Sequence, residues 1–208
     1  MEAESPKTVH LGPGEGRAVW MTGEEELVTR KVSAEQTGGA YSLFEVEVGP
    51  GSGQAPHIQH REDECLYVLD GEFEFLDDDG GVERGGPGSV LYVPKGNLHR
   101  YGNMGETAGR LLLIHTPGGS HERFLEEAGE PATNGGASPV SEEPLEAERI
   151  AAIGVEYGME IVPLPPLPPP KKGRTEEKMK RTRRCRRPGS YFRAAEILLV
   201  EDARAKPA

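Results

Sequence analysis

Four polar side chains lie in or at the start of short apolar runs, and their types suit metal chemistry. His57 and Gln59 are two residues apart in a run typical of a strand, so both side chains point to one face of a sheet. Glu64 opens the next apolar run after a polar turn, and His99 opens another after a Pro-Lys-Gly-Asn turn. Burying an unpaired carboxylate in an apolar interior is costly, so a cation is the natural compensation. Two imidazoles and one carboxylate are also the donor set of the facial triad that holds non-haem Fe(II) and leaves positions open.

The apolar runs around these residues predict an all-β domain. Turn formers separate the runs, and Asp70-Gly71 between two of them is a strong hairpin signal. Strands this short and this regularly spaced are typical of a β-sandwich or barrel. The predicted strands are RAVWM and ELVTRKV between Arg17 and Val32, then Tyr41–Val48, Pro56–His60, Cys65–Leu69, Glu72–Leu76, Gly81–Arg84, Ser89–Val93, His99–Tyr101 and Arg110–His115.

The pattern changes after residue 118, where two helices are predicted. The first begins at its cap Ser120 and runs through Ala128 to a stop at Gly129. The second runs from about Glu142 to Tyr157, with Ser141 as its cap and Gly158 as its stop, and Met159–Val162 adds an edge strand. The predicted organisation is a loose N-terminal arm (1–16), a barrel (17–118), a helical appendage (119–162), a polyproline linker (163–170) and a basic, largely disordered tail (171–208).

Charge is divided unevenly along the chain, whose formal net charge is −11. Residues 171–208 carry 13 Lys and Arg against 5 Asp and Glu, which leaves 11 of the 24 basic and 30 of the 35 acidic side chains in residues 1–170. The acidic part would repel nucleic acid and anionic membranes. Only the tail, with ten basic residues in 171–187, is a candidate for nucleic-acid binding, and a solvated extension is the plainer interpretation.

The sequence shows neither a disulfide framework nor a targeting signal. Two cysteines are too few for a framework, the N-terminal residues lack a secretory pattern, and no apolar run approaches the roughly 18 residues of a membrane span. We therefore expect a cytoplasmic protein without a membrane partner.

Two segments at set spacing resemble the motifs of the cupin superfamily. Residues 51–71 read GSGQAPHIQHREDECLYVLDG, and residues 88–103 read GSVLYVPKGNLHRYGN. The family patterns are G-x5-H-x-H-x3–4-E-x6-G and G-x5-P-x-G-x2-H-x3-N, and the second matches without exception. The first matches except that Gln59 stands where the family has its second His. The resemblance implies a cupin jelly-roll barrel, also called a double-stranded β-helix, and is greatest to single-domain bacterial cupins similar to quercetin 2,3-dioxygenase.

By this resemblance the expected metal ligands are His57, Glu64 and His99. Gln59 leaves three alternatives open: a weak fourth ligand, a residue that hydrogen-bonds a bound water, or the sign of a site that has lost its metal. An amide oxygen is a neutral, hard ligand, weaker than imidazole for Fe, Ni, Cu or Zn. His60 is not a replacement, because it lies one residue on and faces the opposite side of a regular strand.

The resemblance implies a metal-dependent oxygenase acting on a small organic molecule. Fe(II) is the expected metal, with Ni, Mn, Cu or Zn as alternatives, no organic cofactor is expected, and Glu64 is the candidate catalytic residue for moving a proton. A homodimer is expected. Two alternatives remain: a non-catalytic cupin module that binds a small molecule or metal, and a nucleic-acid-associated protein that uses the basic tail.

Other polar and aromatic residues receive structural interpretations. His10, His115 and His121 are predicted to be surface or internally satisfied residues, and Cys65 a small buried hydrophobe. Tyr92 and Tyr101 are candidates for the mouth of a pocket, with core packing as the alternative.

Overall fold

The computed structural model describes residues 8–21, 25–76, 80–132 and 146–162. These residues form twelve strands and two helices. The elements are β1 (Arg17–Met21), β2 (Glu26–Val32), β3 (Ser42–Val48), β4 (His57–Gln59), β5 (Asp63–Asp70), β6 (Phe73–Leu76), β7 (Val82–Gly85), β8 (Val90–Val93), β9 (Leu98–Asn103), β10 (Gly109–Thr116), α1 (Ser120–Ala128), β11 (Glu130–Pro131), α2 (Ala147–Tyr157) and β12 (Met159–Ile161).

The strands form two antiparallel sheets. The larger sheet has the order β11-β1-β2-β3-β10-β5-β8, and the smaller has the order β12-β4-β9-β6-β7. Neighbours in sheet order are often far apart in sequence, which is the topology of a jelly roll rather than of a simple meander. The all-β prediction is therefore confirmed, and the strands lie within a few residues of their predicted bounds.

Alternation along the strands places apolar side chains in one core between the sheets. In β3, Phe44, Val46 and Val48 are buried, while the residues between them are more exposed. The same period of two applies to β10, where Leu111 and Leu113 are buried. Phe73 and Tyr101 enter the same core from the smaller sheet. A polar residue in phase with these positions is therefore carried into the interior.

Gly71 shows why one motif position requires glycine. Its φ is +90°, in the region that side chains rarely adopt, and a Cβ there would lie 2.8 Å from the Cα of Gly109. The turn between β5 and β6 therefore depends on the missing side chain.

The two helices pack against each other, and they and β12 contact the strands of the barrel. Strand β12 pairs with β4, with Met159 opposite Gln59, so the C-terminal segment extends the sheet that carries His57. Helix α2 ends, as predicted, at Gly158, which has a left-handed φ of 79°. The predicted start at Glu142 was wrong, because Glu146 is extended and the helix begins at Ala147. Ser141 lies outside the described residues.

The predicted cap of α1 was also wrong. Gly119 occupies the N-cap position and Ser120 is the first helical residue, with no side-chain cap of its own. The N-terminus of α1 is capped instead by the carboxylate of Glu62, as described below.

Several predicted segments lie outside the described residues. These are the polyproline linker, the basic tail and the first seven residues of the N-terminal arm. Within the described ranges, neither helix is long and apolar enough to cross a membrane.

Candidate metal centre

Three strands bring His57, Glu64 and His99 together in the barrel interior. His57 on β4 pairs directly with His99 on β9 in the smaller sheet, and Glu64 comes from β5 in the larger one. Their side chains are 3%, 1% and 1% exposed. The donor atoms that these three residues offer all lie within 4.8 Å of one another. We call these three residues the triad.

Backbone carbonyls fix which ring nitrogen of each histidine faces the triad. His57 Nδ1 lies 3.0 Å from the carbonyl oxygen of Ala55, and His99 Nδ1 lies 3.2 Å from that of Asn97. Because a carbonyl oxygen only accepts, each Nδ1 carries a proton and donates it. Nε2 of both rings is thereby directed at Glu64, as in metal sites whose histidines are oriented by a hydrogen bond on the other nitrogen.

The triad is a charged group in a buried setting. His99 Nε2 lies 2.9 Å from Glu64 Oε2, and His57 Nε2 lies 3.9 Å from the same oxygen. Although burial alone would raise the pKa of Glu64, the nearby imidazoles of His115, His99 and His57 hold it well below its ordinary value. Burial also works against protonation of His99, but its hydrogen bond to Glu64 raises the pKa of this ring above the ordinary value.

His57 behaves differently from His99. Burial, assisted by repulsion from His99, lowers the pKa of His57 to about 4. The ring is therefore neutral at physiological pH, and its Nε2 carries a lone pair. This is the protonation state that a metal ligand requires.

Two of the donor atoms are buried without a hydrogen-bond partner. They are His57 Nε2 and Glu64 Oε1, and each has its lone pair directed into the interior. Buried polar atoms in proteins are nearly always paired. Two neighbouring donors with unpaired lone pairs therefore indicate a site for a metal ion, which accepts electron pairs. A divalent cation fits this set, with two nitrogen donors and one carboxylate.

Gln59 shares the inward face of β4 with His57 and is 3% exposed. Its amide nitrogen lies 3.0 Å from His121 Nδ1 and 3.8 Å from Met159 Sδ. The residue at the position of the family's second histidine is thus held by contacts from α1 and β12.

His115 and His121 also belong to this interior. The prediction of a surface or satisfied residue was wrong for His115, whereas His121 is buried with a hydrogen bond from Gln59. They are 0% and 3% exposed, and their rings stack at 4.0 Å with an angle of 10°. Both nitrogens of His115 lack a hydrogen-bond partner, and its Nε2 lies 4.0 Å from Glu64 Oε1. Burial, together with His115, lowers the pKa of His121 well below its ordinary value.

The sequence contained signals for both histidines. His115 follows Leu111 and Leu113 at a spacing of two, so the strand period predicts an inward side chain. His121 lies three and four residues before Phe124 and Leu125, on the apolar face of its helix.

Glu62 is a third residue that sequence reasoning missed. Its carboxylate is 1% exposed and accepts hydrogen bonds from the backbone N–H groups of Ser120, at 2.6 Å, and His121, at 2.8 Å. It therefore caps α1 and fixes the start of that helix beside the triad. Burial raises the pKa of Glu62 despite His115 and these two hydrogen bonds.

The remaining predicted residues have other partners or environments. Tyr92 is 60% exposed and its hydroxyl donates to Asp63 at 3.2 Å. Tyr101 is fully buried in the core, and its hydroxyl donates to Glu26. His60 is half exposed and pairs with Glu160 on the outer side of β4, whereas Cys65 is half-buried with a free thiol.

Comparison with known proteins finds a family match within the barrel. Residues 44–115 match the model of the cupin domain. No curated protein sequence matches the chain. Similar solved structures include the polyketide cyclase RemF from Streptomyces resistomycificus, with 23% identity over 53% of this chain and 80% of that one and a TM-score of 0.47.

Two further structures match nearly their whole length. One is KdgF from Halomonas sp., with 17% identity over 56% of this chain and 98% of that one and a TM-score of 0.48. The other is a predicted oxalate decarboxylase from Thermotoga maritima, with 23% identity over 52% of this chain and 98% of that one and a TM-score of 0.48.

Proposed function

We propose that the protein is a metal-dependent cupin oxygenase that acts on a small organic molecule and is similar to quercetin dioxygenase; the match of residues 44–115 to the cupin domain model supports this. The observation that carries the proposal is the pair of unpartnered donors, His57 Nε2 and Glu64 Oε1, beside His99 in a buried setting. Fe(II) is the proposed metal, because two imidazoles and one carboxylate suit it and leave positions open. Ni, Mn, Cu and Zn are the alternatives.

The chain's own residues contribute orientation, charge and exclusion of water. A metal held by His57 Nε2, His99 Nε2 and Glu64 would supply open coordination positions for O2 and an organic substrate. The carbonyls of Ala55 and Asn97 hold the two rings in a ligating orientation. Glu64 is also the residue proposed to take up a proton from the substrate, because its carboxylate is the acidic member of the triad.

Buried apolar side chains lie on the same strands as the donors or next to their neighbouring histidines. Leu66 follows Glu64 by two residues on β5, and Phe44 contacts the rings of His115 and His121; both are at most 1% exposed. A dry interior of this kind strengthens the attraction between the carboxylate and a cation. We propose a reducing compartment such as the cytoplasm, in keeping with the free thiol of Cys65.

A second candidate is a cupin module that binds a metal or small molecule without turnover. The triad is 3% exposed or less, and an amide replaces one of the family's imidazoles. Both features suit retention of an ion better than exchange of substrates.

The deciding experiment begins with the metal content of protein purified without chelators. The wild-type chain is compared with a His57→Ala/His99→Ala double variant, and His60→Ala serves as the matched control because His60 is the outward-facing neighbour. We expect near-stoichiometric metal in the wild type and control, and loss in the double variant. No metal, even after anaerobic loading with Fe, Ni, Mn or Zn, would overturn the oxygenase and leave a module that binds a small molecule.

Turnover is then measured as O2 uptake with a panel of phenolic and diketone substrates. We expect uptake that depends on the metal and disappears in His99→Ala. If the fully metallated protein shows no uptake with any of them, the binding module is the better account.

A further inference from the structure

The amide of Gln59 is held at its nitrogen end. A primary amide has two N–H donors. Nε2 of Gln59 has two acceptors in reach, His121 Nδ1 at 3.0 Å and Met159 Sδ at 3.8 Å, the second a weak one. Both donors therefore have partners, and neither of these partners is a member of the triad.

The position of these two partners directs the amide oxygen. Strand β4 lies between β12, where Met159 is opposite Gln59, and β9, where His99 is opposite His57. Nitrogen and oxygen occupy opposite branches of the same planar group. The oxygen Oε1 is on the other branch of the amide and is therefore turned away from His121 Nδ1 and Met159 Sδ.

His121 is itself held firmly enough to set this orientation. Its ring stacks on His115 and meets Phe44 edge-on, with centroids 5.7 Å apart. Its backbone N–H is fixed by Glu62 at 2.8 Å. A ring held by this stacking and edge contact cannot turn its Nδ1 away from Gln59 without disturbing the core.

From this arrangement we propose that His121 is a positioning residue that aims the Gln59 oxygen at the metal, so that Gln59 serves as a fourth, neutral ligand. The inference rests on the metal site of the proposed function and assigns that site a preference among metal ions. Two nitrogen and two oxygen donors form a harder set than the three imidazoles and one carboxylate of the family pattern. Such a set favours Mn(II) or Fe(II) relative to Zn(II) and Cu(II).

The test measures affinities for Mn(II) and Zn(II), each as the metal alone, by calorimetric and chelator-competition titration of the full chain. His121→Phe keeps a stacking ring and removes the acceptor, whereas His121→Asn places an amide oxygen close to the former Nδ1. Loss of a residue that orients a ligand typically costs about 10- to 100-fold in metal affinity. We expect His121→Phe to weaken Mn(II) binding about tenfold or more and Zn(II) binding less, and His121→Asn to recover most of the Mn(II) affinity.

Two further variants separate positioning from folding. Met159→Leu removes only the weak acceptor, so a smaller loss in the same direction is expected. Gln59→His restores the family's donor set and should shift the preference towards Zn(II). The visible absorption of Co(II)-loaded protein, which reports coordination number and geometry, should change in His121→Phe. Circular dichroism and thermal unfolding verify that each variant is folded.

The outcomes distinguish this inference from the proposed function. If the wild type binds metal through the triad but His121→Phe leaves the Mn(II) to Zn(II) affinity ratio and the Co(II) spectrum unchanged, the positioning role is refuted and the metal site stands. If the His57→Ala/His99→Ala variant binds these metals as well as the wild type does, both the site and this inference are overturned.

Discussion

Replacing Glu64 with Gln is the change that most directly tests whether the buried donors are built for a cation. In the metal-free protein His57 Nε2 and Glu64 Oε1 are buried without partners. Leaving a buried polar atom unsatisfied costs about 1–3 kcal/mol, so the two atoms together cost about 2–6 kcal/mol. A cation that binds both relieves this cost and therefore stabilises the fold. Glu64→Gln removes the negative charge and leaves a weaker oxygen ligand in nearly the same volume.

The expected size of the effect follows from ligand linkage. Metal at 100 times its dissociation constant stabilises the native state by about 2.7 kcal/mol. For a domain of this size, about 2–4 °C of Tm corresponds to 1 kcal/mol, so the shift is about 5–11 °C. We expect the wild type to show this shift between chelator and metal, and Glu64→Gln to show almost none.

Differential scanning calorimetry in matched buffers provides the assay. The control is Glu160→Gln, because Glu160 is an exposed glutamate on β12 that pairs with His60 outside the barrel. It should retain the full wild-type shift. An equal metal-induced shift in Glu64→Gln and the wild type would refute the reasoning, since the stabilising ion would then be bound elsewhere.

Four further predictions concern the cap, the pH dependence, a turn and the surface. Glu62→Gln should destabilise the protein by about 1–2 kcal/mol in urea unfolding, because the amide can accept from only one of the two N–H groups that cap α1. Metal affinity in titrations should rise from mildly acidic to mildly alkaline pH. Glu64 raises the pKa of His99 against the effect of burial, and the proton on His99 must leave before the metal binds. Gly71→Ala should cost about 1–3 kcal/mol of unfolding free energy, because a Cβ at a φ of +90° is strained and would lie 2.8 Å from Gly109 Cα. If the expected homodimer forms through the outer face of β5 and β8, Tyr92→Glu should weaken it in light-scattering measurements, since Tyr92 is an apolar group 60% exposed on an edge strand.

Each of these has a clear contrary result. If Glu62→Gln has the same unfolding free energy as the wild type, the two hydrogen bonds contribute no more free energy than the burial of the carboxylate costs. Metal affinity independent of pH would mean that His99 is already neutral in the metal-free protein. An unfolding free energy of Gly71→Ala equal to that of the wild type would show that the turn relaxes at little cost. A monomeric wild type would contradict the expected homodimer.

Local patterns were sufficient to predict most of the barrel. Strands β1 and β2 have the predicted bounds, and alternation with a period of two placed His57 and Gln59 on one inward face. In a half-buried antiparallel strand, successive side chains face opposite sides of the sheet, so every second residue is buried. The same alternation, applied to the end of β10, predicts that His115 points inward.

Helix ends were less predictable, because their caps came from elsewhere in the chain. A serine before an apolar face predicted capping at Ser120, yet Glu62, 58 residues earlier, provides the cap. A local capping residue competes with any carboxylate that the fold brings near the start of the helix. The local sequence does not show which carboxylate that is.

The sequence by itself determined an acidic β-barrel with two histidines and a glutamate at motif spacing, because strand period and turn residues act over a few neighbouring positions. Only the tertiary structure decided what surrounds them. It placed His121 against Gln59, 62 residues apart, and Met159 of β12 on the other side. Those contacts arise because α1 and β12 pack against strands of the barrel. The surroundings of the metal donors are therefore a property of packing between distant segments, which no local pattern encodes.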